Sequence, residues 1–236
     1  MSHTKVFPDA AAALHDLGDG ASIMASGFGL CGNPESCIRE LARRAVGGLT
    51  IISNNCGNQG KGLAVLLQQR KVSRVIGSYI GGNPDLQAQY LAGEIDVELC
   101  PQGTLAERIR AGGAGLGGFF TPTGVGTVVA DGKEERIIDG KRYIFEAPLR
   151  ADFALVRAEW GDPFGNLRFK GTARNFGPQM AMAARVTVVE VDELVPLGAL
   201  GPEDIHLPGV FVQRIFQGRD YEDPIEHLTT RPRPTP

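Results

Sequence analysis

A chain of 236 residues is the length of one large α/β domain or, at most, two small ones. Hydrophobic residues at 42% and charged residues at 22% are ordinary for a globular protein, which sets aside disordered and collagen-like classes. A net charge of −3 supplies no global attraction for nucleic acid or an anionic membrane, and neither is expected as a partner.

Residues 7–17 read as a short helix with Asp9 as its cap, and Asp19-Gly20 turns the chain into a strand over 22–25. A glycine turn holding Gly27, Gly29 and Gly32 follows, then an amphipathic helix with Asn33 as its N-cap and Pro34 as its first residue. Residues 49–53 form the second strand, 63–70 a helix, 72–79 the third strand, 85–92 a helix and 97–100 the fourth strand. The break at Pro101-Gln102-Gly103 opens a helix over 105–111. Each strand ends in Gly, Asn or Gln, and strands alternating with helices predict a mostly parallel sheet covered on both faces.

Residues 111–126 are too rich in glycine for a packed element and read as a long shaped loop. Asp139-Gly140 marks a hairpin between 136–139 and 141–145. Strands are expected over 153–158, 167–169 and 186–191, with a helix over 172–184 interrupted near Pro178 and a last strand over 209–215. We read residues 1–226 as a single domain and 227–236 as a frayed tail.

The glycine turn has the spacing G-x-G-x-x-G after a strand and before a helix, the pattern of a dinucleotide site. That mechanism also needs an acid about 20 residues on to hold a ribose hydroxyl. No Asp or Glu lies between Glu40 and Asp85, so the cofactor reading loses its second support. Neither a phosphate-loop lysine motif nor a G-x-S-x-G elbow occurs. The cysteines Cys31, Cys37, Cys56 and Cys100 lack C-x-x-C or histidine spacing and read as buried reduced thiols. His206 is open to a functional or a structural role. No apolar signal core and no run of about 18 apolar residues occurs, so a cytoplasmic location is the expectation.

What remains is a set of amide and glycine turns: Gly27 to Gly32, Asn54-Asn55, Asn83 and Gln102. Such groups hydrogen-bond a carbonyl or carboxylate, and one oxyanion donor is typically worth roughly 3–4 kcal/mol in a transition state. The inventory suits holding an acyl group and lacks anything to attack it. Asn83 is equally open to a turn-capping role.

Several stretches carry a resemblance: Gly27-Phe-Gly-Leu-Cys-Gly-Asn-Pro-Glu35, Ser53-Asn-Asn-Cys-Gly57, the run Glu98 to Gly113 (ELCPQGTLAERIRAGG), Phe119 to Thr127, Ala173-Arg-Asn-Phe176 and Pro202-Glu-Asp-Ile-His206. Over nearly its whole length the chain resembles the A (alpha) subunit of the 3-oxoacid CoA-transferases, the succinyl-CoA:acetoacetate type. The resemblance implies a three-layer α/β/α sandwich of the CoA-transferase type and a partner B subunit, in a heterotetramer of two A and two B chains. It places the catalytic glutamate in a Ser-Glu-Asn-Gly motif of the B subunit, and no Glu-Asn pair occurs here. It implies no cofactor, with a CoA thioester as substrate, and CoA moving from an acyl-CoA to a 3-oxoacid through a glutamyl-CoA thioester.

The resemblance puts the hydrogen bond to the reacting oxygen on Gln102 and the positioning of a carboxylate on Asn54. Gly27, Phe28, Gly29 and Gly32 would line the acyl pocket, with Asn83 as a further substrate contact. Two departures from the family pattern, Ser26 before Gly27 and Asn33 before Pro34, leave the reacting groups in place. The 3-oxoadipate and acetate/butyrate types remain alternatives for the substrate. The stretch Gly77-Ser-Tyr-Ile80 with Gly82-Asn83 favours the acetoacetate type. A nucleotide-binding protein using the Gly27 to Gly32 turn is the alternative of a different class.

Overall fold

The computed structural model describes residues 4–222; the expected tail at 227–236 and the domain boundary at 226 lie outside them. The first half follows a strand–helix rhythm: α1 (Ala10–Ala13), β1 (Ser22–Ala25), α2 (Glu35–Arg43), β2 (Leu49–Ile52), α3 (Ala64–Gln68), β3 (Val72–Gly77), α4 (Pro84–Leu91), β4 (Asp96–Leu99) and α5 (Gln102–Ala114). A small antiparallel sheet follows from β5 (Phe119–Thr121), β6 (Glu135–Ile138) and β7 (Lys141–Glu146). The chain then adds β8 (Ala151–Gly161), β9 (Leu167–Arg168), α6 (Gly177–Ala183), β10 (Ala184–Leu194) and β11 (Arg214–Gln217).

The main sheet runs β11-β10-β8-β1-β2-β3-β4, all parallel, with β9 antiparallel on β8. Successive side chains on a strand point to opposite faces. Accordingly Ile23, Ile51, Val75, Phe153 and Val188 enter one core, while their neighbours Met24, Ile52, Ile76, Ala154 and Val189 enter another. Leu14, Leu41, Leu66 and Leu86, from α1 to α4 and the turn after α1, close the first core; Leu105, Ile109 and Met180 from α5 and α6 close the second. A sheet buried on both faces explains the near-continuous apolar strands. The result is a three-layer α/β/α sandwich. Among the described residues no helix is long and apolar enough to cross a membrane.

Four expectations need correction. Residues 7–17 yield only the four-residue α1, capped by Asp9, whose side chain accepts the Ala12 N–H. The helix expected at 105–111 starts at Gln102 and runs to Ala114, so part of the supposed loop is helical. A Cβ on Gly112 would lie 1.8 Å from the Leu149 carbonyl oxygen, and one on Gly113 2.8 Å from the Met182 Cβ. These glycines serve close packing against the segment before β8 and against α6, which outweighs their low helix propensity. Pro178 lies in the first turn of α6 rather than interrupting a helix, a position its missing N–H tolerates. Residues 209–211 form a 3₁₀ turn, leaving β11 to begin at Arg214. The hairpin turn follows the expected chemistry, with φ of 50° at Asp139 and 76° at Gly140.

Candidate functional site

All seven parallel strands of the main sheet end on one edge, and the amide and glycine turns lie along it. The chain steps outward from β1 to β4 and later returns beside β1 with β8, so the β1/β8 junction is the switch point where open α/β sheets bind ligands. β1 pairs Ala25 with Leu155, whereas β8 continues to Gly161 beside β10. The notch above the end of β1 holds a pocket of about 290 Å³ between the 26–32 turn and the 170–176 turn. Cys31, Gly32, Phe169, Lys170 and Ala173 line it, with Arg157 and Asp192.

The glycine turn is built differently from the expectation. Pro34, not Asn33, is the cap residue of α2, and the helix begins at Glu35. Asn33 is buried, and its Oδ1 lies 1.8 Å from where a Cβ on Gly27 would stand. Gly32 carries a φ of 76°, and a Cβ there would meet the Ala173 carbonyl oxygen at 2.7 Å. Gly27 is buried and its N–H donates to Asn175 Oδ1 at 3.1 Å. Both glycines therefore make room for neighbouring chain. Phe28 is 46% exposed and stacks on Phe176 with ring centroids 6.4 Å apart. Ser26 ties the turn together: its hydroxyl donates to the Gly32 carbonyl at 3.0 Å and accepts the Arg157 N–H at 3.2 Å.

The glycine spacing predicts that the start of α2 offers its N–H groups to an anionic ligand. A carboxyl group of the chain's own already sits there. The fully buried carboxylate of Glu190, on β10, accepts the N–H of Ser36 at 3.2 Å and of Cys37 at 2.8 Å. This removes the anion-binding start on which the dinucleotide reading rested. Burial pushes the Glu190 carboxyl up from 4.5 to about 7, against the opposing pull of the Cys37 and Ser36 N–H groups and the Arg157 charge.

The sign of the pH effect follows. Between pH 4.5 and about 7 the native state holds a proton that the unfolded chain has released, so this group's contribution to stability falls as pH rises through that window. At 1.36 kcal/mol per unit, the loss is on the order of 3 kcal/mol. Glu190→Gln should flatten that part of the stability–pH curve, measured by denaturant unfolding at several pH values. Parallel curves for the two proteins would refute the assignment.

Asn54 is buried at the end of β2, and its Nδ2 donates to Ser78 Oγ at 2.8 Å. Its backbone carbonyl accepts the N–H groups of Ser78 and Tyr79, joining the ends of β2 and β3. Asn83 caps α4: its Oδ1 accepts the Leu86 N–H at 2.9 Å, and its Nδ2 donates to the carbonyls of Cys56 at 2.8 Å and Gly57 at 3.2 Å. Its side chain is spent inside the chain, where it shapes the 56–57 turn. Gln102 is exposed at the first position of α5, with no hydrogen bond from its side chain to any described residue. It stands two strands from Asn54, about 10 Å by sheet spacing, and no hydrogen bond joins them.

Behind Gln102, Arg108 anchors the helix. Its guanidinium reaches Glu98 on β4 at 2.5 Å, the Ala147 carbonyl at 2.9 Å and the buried Glu146 at 3.7 Å. Burial alone would raise the Glu98 carboxyl, but Arg108 and Arg74 outweigh it and hold it below the usual value. His206 is tethered: its Nδ1 accepts the Phe169 N–H at 3.0 Å and its ring stacks on Phe169. Burial first, then Arg174 and Arg168, lower its pKa. Cys37, Cys56 and Cys100 are buried, with thiols raised by burial, that of Cys56 to about 12, whereas Cys31 is exposed.

Sequence reasoning missed Glu190, Arg157 and Asn175. A glutamate inside the apolar run Thr187-Val-Val-Glu-Val191 was the available signal, because a buried charge requires partners. Arg157 pairs with Asp192 at 2.9 Å and covers the Tyr221 ring at 3.6 Å.

The coenzyme A transferase family model matches residues 7–218. The A subunit of a succinyl-CoA:3-ketoacid coenzyme A transferase from Xanthomonas campestris is 52% identical over 228 residues, covering 96% of this chain and 94% of that one. The human mitochondrial succinyl-CoA:3-ketoacid coenzyme A transferase 2 is 46% identical over 243 residues, covering 95% of this chain but 47% of the human one. An acyl-CoA transferase from Escherichia coli O157:H7, solved as a thioester complex with CoA, superposes with a TM-score of 0.82 at 22% identity, over 93% of this chain and 48% of that one. The chain thus spans about half the length of the latter two, and the solved structure speaks for the fold alone. A family match across almost all of the described residues, on a parallel sheet with its polar turns at the ligand edge, shows that the chain belongs to the coenzyme A transferase family.

Proposed function

We propose that this chain is the A subunit of a CoA-transferase that moves CoA from succinyl-CoA to a 3-oxoacid such as acetoacetate, in complex with a B subunit. Gln102 carries the reading: an amide with no partner among the described residues, at the start of a 13-residue helix on the ligand edge. The carboxylates at the pocket above β1 are held by arginines, Glu159 by Arg168 at 3.7 Å and Asp192 by Arg157 at 2.9 Å, and the family resemblance assigns the attacking carboxylate to the partner. The names of full-length relatives support the substrate pair over the oxoadipate and acetate/butyrate types. The human relative, about twice as long, supports a second chain in the complex, and two A with two B chains is the proposed assembly.

In this reading the partner's glutamate attacks the succinyl thioester carbonyl, and CoA thiolate leaves a mixed anhydride. The thiolate attacks the glutamyl carbonyl, succinate departs, and a glutamyl-CoA thioester remains. The 3-oxoacid carboxylate attacks that thioester, again expelling thiolate, which attacks the new acyl carbonyl and frees the glutamate. Every step moves electron pairs between nucleophile and leaving group, and no cofactor is part of the proposal. Gln102 would donate to the oxygen that gains charge. Asn54 gives one Nδ2 hydrogen to Ser78, and the other would face a carboxylate. Phe28 would flank the acyl chain.

The purified chain alone should show no exchange between succinyl-CoA and acetoacetate, and should gain it when mixed with a B-type chain bearing the glutamate. A hydroxylamine-sensitive CoA adduct on this chain by itself would overturn the division of labour.

A further inference from the structure

Asn175, in the stretch Ala173-Arg-Asn-Phe176, has a backbone φ of 28° and ψ of −119°, a conformation that side-chain-bearing residues rarely adopt. Such strain persists where the surroundings impose it. Here the side chain supplies the reason. Its Oδ1 accepts two backbone N–H groups, from Gly27 at 3.1 Å and Phe176 at 2.7 Å. Its Nδ2 donates to the carbonyls of Ala173 at 2.8 Å and Cys31 at 3.4 Å. One amide therefore bolts the 26–32 turn to the 170–176 turn, the two walls of the pocket above β1.

Replacing Gly32 would break the same seam, since a Cβ there would lie 2.9 Å from Asn175 Nδ2. The Phe28–Phe176 stack depends on it too, because Asn175 bonds the N–H of Phe176 itself and that of Gly27, the residue before Phe28. Asparagine fits this place because it offers donor and acceptor on one short planar group.

We propose that Asn175 is a positioning residue: it holds Phe28 and the glycine turn in the arrangement that receives the acyl-CoA. This rests on the transferase reading of the edge. Without the clamp the turn must be ordered when substrate binds, so the cost appears in apparent affinity. KM for succinyl-CoA should rise about tenfold while kcat stays nearly constant.

The test uses the complete A/B complex with Asn175→Gly. Glycine accepts the unusual backbone angles, so the variant removes the clamp without adding strain. Cys31, the exposed one of the four cysteines, reports the turn directly. The expected result is a raised KM, near-native kcat, iodoacetamide alkylation of Cys31 several-fold faster, and a Tm lowered by the lost hydrogen bonds but less than in Asn175→Ala. A residue that only supported folding would lower active-site content, and hence kcat, at constant KM. That pattern, or unchanged KM with faster alkylation, would overturn the proposal and leave the transferase reading intact. A wild-type complex without CoA transfer would overturn the transferase reading, and the alkylation rates would still decide whether the clamp exists.

Discussion

Gln102→Ala in the A/B complex should lower kcat by about 10²- to 10³-fold, with KM and the folded fraction nearly unchanged. The side chain is exposed and bonds no described residue, so its loss should cost no more than about 0.5 kcal/mol of stability. No described residue is hydrogen-bonded by its side chain, and in the proposed reaction its partner is the oxygen that gains charge during transfer. Steady-state kinetics with succinyl-CoA and acetoacetate, alongside a thermal melt, separate the two effects. A kcat within about threefold of wild type, less than 1 kcal/mol of barrier, would remove Gln102 from the chemistry.

Arg108→Met should destabilise the chain by about 3 kcal/mol, the lower end for breaking a buried ion pair. The lower end applies because Lys133 still reaches Glu146 at 2.6 Å and Arg74 still reaches Glu98 at 2.8 Å. For a domain of this size that corresponds to a Tm lowered by roughly 6–12 °C. Glu146 is 1% exposed, so Arg108→Met with Glu146→Gln should cost less than the sum of the single changes. Additive losses in that double-mutant cycle would show that the pair is uncoupled. The consequence reaches the site, because Arg108 lies six residues, about 9 Å of helix, behind Gln102.

The parallel sheet was legible because strands buried on both faces are apolar runs ended by turn residues, as in Leu49-Thr-Ile-Ile-Ser53. Asn54 and Gln102 stood out in the sequence as amides at strand ends, whereas Phe28 entered through the family resemblance alone. What escaped depends on contacts distant in sequence. Local propensity makes Gly112-Gly113 a loop, and only the Leu149 carbonyl and Met182 reveal a helix packed too closely for side chains. Asn33 has the chemistry of a helix cap, but the cap position fell to Pro34, and the orphan N–H groups found Glu190, more than 150 residues away. The clamp at Asn175 was invisible for the same reason. Its bonds to Gly27 and Cys31 join turns about 145 residues apart, and no periodicity marks them.

Glu190 also acts as a tethered competitor. A carboxylate fixed on β10 and already bonded to the Ser36 and Cys37 N–H groups stands at an effective concentration far above that of any free metabolite. A dissolved phosphate would have to displace it from both N–H groups while it stayed buried on β10. The chain thus occupies its own helix end, despite the G-x-G-x-x-G spacing that precedes it. To graft nucleotide binding onto this scaffold, an engineer would first have to replace Glu190, and only then add an acid after β2.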